Sequence, residues 1–281
     1  MTEQTQELQA IAEGLKSRTV VPYIGPGVFE LMTEPCPIPK GSPELVAALT
    51  AKSAVPGRIR TNLTASAQYI ESRKHRKTLD SLLNGLFKHA LPASPVHRWL
   101  AALPTPPALI VDVWYDDALE KALAERGNWG QIQGQSHPQS EGLWVKFYGA
   151  NGKETTPEAA AGWETVLYKP SGGVSPAGNF LISDSDFVEV LTEIDIQTPI
   201  PPIVQERRTG KNFLYLGCRF NAEIQRTFAR QIAKRSTDRH WAVIAEEMTK
   251  NEAGFCEKLG ITVLNMPLAE AMERLKATHQ P

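Results

Sequence analysis

The sequence predicts an α/β protein with a doubly wound, mostly parallel sheet. Three observations predict it. Short apolar runs at 108–113, 212–216, 240–245 and 261–264 have the length of buried strands. Amphipathic stretches of helical length separate the later runs, the alternation of a parallel sheet covered on both faces. The chain has 281 residues, 42% hydrophobic and 22% charged, room for one sizeable core. The expectation is a single domain over 1–281, with an irregular insert at about 127–180.

Along the chain, Leu8, Ile11 and Leu15 recur at helical spacing and predict a helix over 3–17. Residues 19–24 read as a buried strand, with one objection: Pro22 has no N–H for a ladder. Gly25, Pro26 and Gly27 make a turn, and the four prolines between 33 and 43 mark a loop. Helices are predicted over 44–52, 64–74 and 77–90, and another ends at 99–102. The strand at 108–113 leads into a helix over 116–126. Residues 127–142, rich in Gly, Gln and Ser, read as an exposed loop. Strands are expected at 143–147 and 165–168. Ser183 followed by Asp186 has the form of a capping box and predicts a helix over 184–194. Pro199, Pro201 and Pro202 break the chain. From there, strands at 212–216, 240–245 and 261–264 alternate with helices at 222–235, 246–258 and 267–277. Ile224, Phe228 and Ile232 share one face of the first of these helices.

Several function classes are disfavoured. Net charge is -1, which gives no general attraction for nucleic acid or anionic membrane. No apolar run approaches the roughly 18 residues of a membrane span. The first ten residues are polar and lack the features of a secretory signal. Cys36, Cys218 and Cys256 form neither a disulfide framework nor a metal pair, and a reduced, cytoplasmic setting is expected. No two of the six histidines stand at metal-ligand spacing, so no metal is expected. The basic run Arg73, Lys74, His75, Arg76 and Lys77 reads as a solvated helix end that could meet an acidic partner. Arg226, Arg230 and Lys234 read as the wet face of a helix. Trp129, Trp144 and Trp163 read equally as core or as interface anchors.

Taken in order, several segments resemble the SIR2-like family, in particular its bacterial branch. Residues 20–29 resemble that family's first strand and its Gly-Ala-Gly-x-Ser phosphate loop. Residues 67–71 resemble a helix of that branch. Residues 97–103 and 109–120 resemble its strand and Thr-Asn-Tyr-Asp turn. Residues 168–174 are similar to its Lys-Leu-His-Gly-Ser segment, and 182–191 to the helix after it. Residues 213–226 resemble a late strand-Gly-helix unit. The resemblance implies a Rossmann-like sheet. It also implies a site in which a glycine loop holds the pyrophosphate of NAD, an asparagine positions ribose and water, and a histidine acts as general base. The zinc cysteines of true sirtuins are missing, as is usual in that branch.

The residues at those positions depart from the family. Gly25 and Gly27 remain, but Pro26 removes an N–H, Phe29 replaces the serine, and Glu30 stands at the third glycine position of a Gly-x-Gly-x-x-Gly fingerprint. Trp114 occupies the asparagine position, while Tyr115 and Asp116 remain. Ser171 stands where the histidine belongs, followed by Gly172. Gly217 closes the late strand. The expectation is a catalytically inactive accessory protein with a vestigial cofactor site, no cofactor, and another protein as partner. The chain also resembles SIR2-like factors associated with nitrogenase, which makes such a metalloenzyme the candidate partner. The alternatives are an NAD-hydrolysing enzyme of phage defence and a sensor that binds NAD or ADP-ribose without cleaving it.

Overall fold

The computed structural model describes residues 3–136, 144–196 and 200–278. Helix α1 (Glu3–Lys16) buries the predicted stripe of Leu8, Ile11 and Leu15 and delivers the chain to β1 (Val20–Ile24). A 3-10 turn, Pro26–Leu31, comes directly after it. Then come α2 (Ser42–Lys52), α3 (Leu63–Lys74), α4 (Arg76–Phe87) and α5 (Pro95–Ala102). Strand β2 (Leu109–Asp112) leads to α6 (Ala118–Leu123). The middle of the chain forms β3 (Trp129–Gly134), β4 (Val145–Gly149), β5 (Glu154–Thr155), α7 (Pro157–Ala160) and β6 (Thr165–Lys169). A small pair, β7 (Gly172–Gly173) with β8 (Asn179–Phe180), precedes α8 (Asp184–Ile196) and α9 (Pro202–Arg208). The end alternates β9 (Asn212–Leu216), α10 (Glu223–Ile232), β10 (His240–Val243), α11 (Lys250–Lys258), β11 (Ile261–Leu264) and α12 (Leu268–Thr278).

Among the described residues the main sheet has nine strands in the order β11-β10-β9-β1-β2-β6-β3-β4-β5. All neighbours from β11 to β3 are parallel, and β4 and β5 add an antiparallel edge. Strands β2 to β6 lie on one side of β1, with β6 inserted between β2 and β3, and β9 to β11 lie on the other, so the sheet is doubly wound and Rossmann-like, as the sequence predicts. Side chains alternate between its two faces. Val20 and Ile24 of β1, with Leu214 and Leu216 of β9, join the apolar cluster under α1–α6 and α12. Val21, Tyr23, Phe213 and Tyr215 join the opposite cluster, under α8–α11.

Pro22 sits in the central strand at no large cost. Gly25 N–H bonds Leu216 O, so odd-numbered residues of β1 face β9 and Pro22 faces β2. The ladder with β2 registers only Tyr23 with Val111 and Ile24 with Asp112, just past the proline.

The middle of the chain corrects the sequence reading. Residues 129–134, expected in an exposed loop, are β3, buried throughout and paired between β6 and β4. The stretch 127–180 is therefore not an irregular insert but supplies β3, β4, β5 and β6. Gln131 and Gln133 gave the segment its loop-like composition. Buried, they donate to Ser175 O at 3.2 Å and Gly173 O at 2.8 Å, so the strand carries polar side chains without unpaired donors. Residues 137–142 of the expected loop lie outside the described residues, as does Pro199. Trp129 is buried, and Trp144 and Trp163 pack against the second apolar cluster. A Cβ on Gly130 would stand 2.3 Å from the Trp163 ring, so that indole lies flat on the strand as core.

The capping box at Ser183 forms as predicted: Asp186 N–H meets Ser183 Oγ at 3.3 Å and Ser183 N–H meets Asp186 Oδ2 at 2.9 Å. Among the described residues, no helix is long and apolar enough to cross a membrane.

Candidate functional site

Open α/β sheets place ligands beyond the carboxyl ends of their strands, where the strand order reverses. Here that edge is the ends of β9, β1, β2 and β6. The residues singled out in the sequence lie just past those ends: Gly217 after β9, Gly25 and Gly27 after β1, Trp114, Tyr115 and Asp116 after β2, Ser171 and Gly172 after β6.

The glycine loop is closed on itself. Gly25 N–H bonds Leu216 O at 2.9 Å, Gly27 N–H bonds Gly217 O at 2.9 Å, Val28 N–H reaches Gly25 O at 3.4 Å, and Pro26 has none to give. The backbone donors to which the resemblance gives a pyrophosphate are thus turned onto Leu216 and Gly217 and into the turn. A Cβ on Gly25 or Gly27 would stand 2.5 or 2.9 Å from Gly217 O. Gly217 itself has φ +64°, and a Cβ there would stand 2.4 Å from Val28 N. These three glycines let two loops touch. The segment after Gly25 is a 3-10 turn and not an α-helix, so Glu30 has no helix N-terminus to sit on. Glu30 points outward and pairs with Lys40 at 3.1 Å. Phe29 is buried, edge-on to the His97 ring at 5.4 Å.

Beyond β2, Trp114 is 5% exposed. Its indole N–H donates to Pro39 O at 2.9 Å, and its ring contacts Phe87 and Tyr115 at 5.7 and 5.2 Å. The proline-rich loop thus lies across the end of β2. Tyr115 packs on Phe87 and Phe180, and its hydroxyl donates to Leu181 O at 2.8 Å. Leu181 N–H in turn donates to Ser171 O at 2.8 Å. Trp114, Tyr115 and Ser171 are therefore joined through Leu181, and backbone pairing of Val113 N–H with Ile24 O ties them to the glycine loop. Gly172, at φ +75°, turns the chain where a Cβ would strike Asn179 O.

One group at this edge was not read from the sequence. The Lys169 ammonium, at the end of β6, is fully buried. It donates to Asp112 Oδ2 at 2.7 Å and to Asp116 O at 2.8 Å, with Glu120 3.9 Å away. Burial opposes its charge, but Asp112, Glu120 and Asp116 outweigh that and raise its pKa. Asp112 Oδ1 accepts Trp114 N–H at 3.1 Å, and Asp116 Oδ1 accepts Ala118 N–H at 2.8 Å. The turn from β2 to α6 is wrapped around a single cation. Burial first, and Asp112 second, push Asp116 up to about 7. Burial pushes Glu120 up to about 8, with Lys169 opposing and Asp112 and Asp116 reinforcing, and neither of its oxygens has a hydrogen-bond partner. His97 is held neutral, its pKa lowered to about 4 by burial. The sequence signal was available: Asp112 and Lys169 are charges at the ends of otherwise apolar strands, and Asp112, Asp116 and Glu120 recur at intervals of four.

This arrangement can lock a turn and hold protons. The side chains at Trp114, Ser171 and Phe29, where the resemblance implies an asparagine, a histidine and a serine, are an indole, a hydroxyl and a phenyl ring, and only the first two offer a hydrogen bond. A family model described as SIR2-like domain matches residues 108–264, more than half of the chain, from the start of β2 to the end of β11. No match is found among curated proteins.

Proposed function

The chain belongs to the SIR2-like domain family, and from that premise we propose that it neither cleaves NAD nor binds it tightly and that it works by holding another protein. The observation that carries the reading is Trp114. At the position where the family resemblance implies a ribose-orienting asparagine, the chain has a buried indole built into the apolar cluster and bonded to Pro39. A ribose there would have to displace a packed side chain and its hydrogen bond, and crowding a packed site typically costs about 1–3 kcal/mol even when tolerated. The glycine loop supports the same reading, since its N–H groups are already bonded to Leu216, to Gly217 or within the turn. Without a histidine at 171, a general base worth about 10²–10⁴ in rate is missing from the position where the family resemblance implies one.

A second reading, a nucleotide sensor, draws on a different place at the same edge. A cleft of about 380 Å³ lies past β10 and β11, lined by Ile244, Met248, Val263, Glu246, Glu247 and Asn265.

Incubation with NAD, with nicotinamide release measured beside calorimetry of NAD and ADP-ribose, tests both. Neither release nor heat is expected. Micromolar binding without release supports the sensor. Release abolished by Asp116→Ala establishes an enzyme and overturns the proposal. A pull-down from the native cell, with nitrogenase as one candidate to probe, identifies the partner.

A further inference from the structure

The family match begins at residue 108, so α3 and α4 stand outside it. The stretch that holds them carries an unbalanced charge. From Lys52 to Lys88 the chain has eight Lys and Arg against two acids, a net of +6; with the whole chain at -1, the rest carries -7. The two acids do not serve the surface. Asp80 and Glu71 both turn to Arg76, at 2.9 and 3.7 Å, and Arg76 also meets the buried Asp186 at 2.9 Å and donates to Phe180 O. Arg76 is thus a structural cation, and its partners are spent on it.

What is left outside is Arg73, Lys74, His75 and Lys77, all exposed around the α3–α4 junction. Among the described residues, no carboxylate pairs with Arg73, Lys74 or Lys77. His75, at φ 68°, reverses the chain in a single residue, so the last turn of α3 and the first turn of α4 present their charges on one knob. Arg73 and Lys74 suit the end of α3, where the helix dipole favours cations. Lys77 stands in the first turn of α4, where the dipole disfavours one, so helix stability alone does not account for it. The Arg73 guanidinium lies over the Tyr69 ring, 5.7 Å from its centre, which holds its donor fork in place for a carboxylate. The knob sits beside the start of α8, on the same sheet edge as the closed site.

We infer that the α3–α4 junction is the surface through which the protein takes its partner, and that the partner presents a carboxylate-rich segment of a protein. The inference rests on the protein-binding reading above and adds to it the surface and its chemistry. A compact patch suits a short acidic segment. A duplex nucleic acid needs a basic stripe along the surface, and here it would run from the patch onto a body of charge -7.

The test uses the full chain, a fluorescent poly-L-glutamate and a duplex DNA, with binding followed by anisotropy over a salt series. Charge reversal of Arg73, Lys74 and Lys77 to Glu is expected to weaken poly-L-glutamate binding by about tenfold or more. A control reversing the exposed Lys250, Lys258 and Lys276 makes the same change in net charge and is expected to bind within about twofold of the parent. Circular dichroism checks that both variants fold. Equal loss in both variants, no loss in either, or DNA bound more tightly than poly-L-glutamate overturns the inference. The partner recovered in the pull-down separates the two levels. If the reversed variant retains it fully, the patch is wrong and the protein-binding reading stands. If the parent protein releases nicotinamide from NAD, the reading itself fails.

Discussion

Lys169 and Asp112 close a buried ion pair of 2.7 Å between the carboxyl ends of neighbouring strands β6 and β2. The pair does more than cancel charge, because the same ammonium also binds Asp116 O and so fixes the course of the chain past Trp114. Replacing Lys169 with Met leaves Asp112 buried without its cation. The expected loss is about 3–5 kcal/mol in urea unfolding. Adding Asp112→Leu should recover much of it, because two apolar groups replace two charges, less the Trp114 N–H bond that Asp112 accepts.

Stability should fall as pH rises from about 6.5 to about 8. Asp116 and Glu120 have folded pKa values of about 7 and about 8, well above the unfolded carboxylate range. Between the unfolded and folded values the folded state binds the extra proton, so each group costs up to about 1.4 kcal/mol per pH unit as pH rises. His97 and His240, both lowered to about 4 chiefly by burial, work the other way, and their gain is complete near the unfolded histidine value of about 6.5. The curve is therefore expected to be shallow below that point and to decline above it. Glu120→Gln should flatten the decline in a series of unfolding curves. An unchanged slope would show that Glu120 ionises freely in the fold.

Trp114→Ala should cost about 3–5 kcal/mol, since it empties a packed site and frees Pro39 O. It should not create affinity for NAD, because the N–H groups of Gly25 and Gly27 stay bonded to Leu216 O and Gly217 O. Calorimetry on the variant checks this. Measurable binding would mean that the indole alone closes the site.

The basic run holds two kinds of residue. Arg76→Met should cost about 3–5 kcal/mol, as it strips the cation from buried Asp186. Arg73→Ala, on the exposed side, should change stability by about 0.5 kcal/mol or less. The same denaturant experiment reads both.

How legible this was from the sequence depended on what each segment had to bury. From residue 212 onward, apolar strands alternate with one-sided helices, and each element falls within a few residues of its expected place. The strand β3 escaped because its inner positions are Gln131 and Gln133, whose partners come from residues 173 and 175, beyond the reach of any local pattern. The glycines of the site were legible as a turn, since only contact between two loops explains their missing side chains. The charges at its centre stood out at their strand ends, but their pairing did not. Lys169 and Asp112 are 57 residues apart, and nothing short of the sheet order places β6 beside β2. Arg76 reads locally as one more solvated cation, because the Asp186 that it meets is 110 residues away.

The position of β1 also bears on how the chain is made. This strand is the spine of the sheet, and on one side its register partner is β9, with Val20 opposite Asn212 and Ile24 opposite Leu216. At about 5–20 residues per second, a ribosome needs on the order of ten to forty seconds to travel from one to the other. Throughout that interval, β1 has an open flank of unsatisfied backbone groups and apolar side chains, the kind of edge that recruits stray strands. Folding of the sheet waits on the last quarter of the polypeptide, so nascent chains halted before residue 212 should depend on holding chaperones and released full-length chains should not.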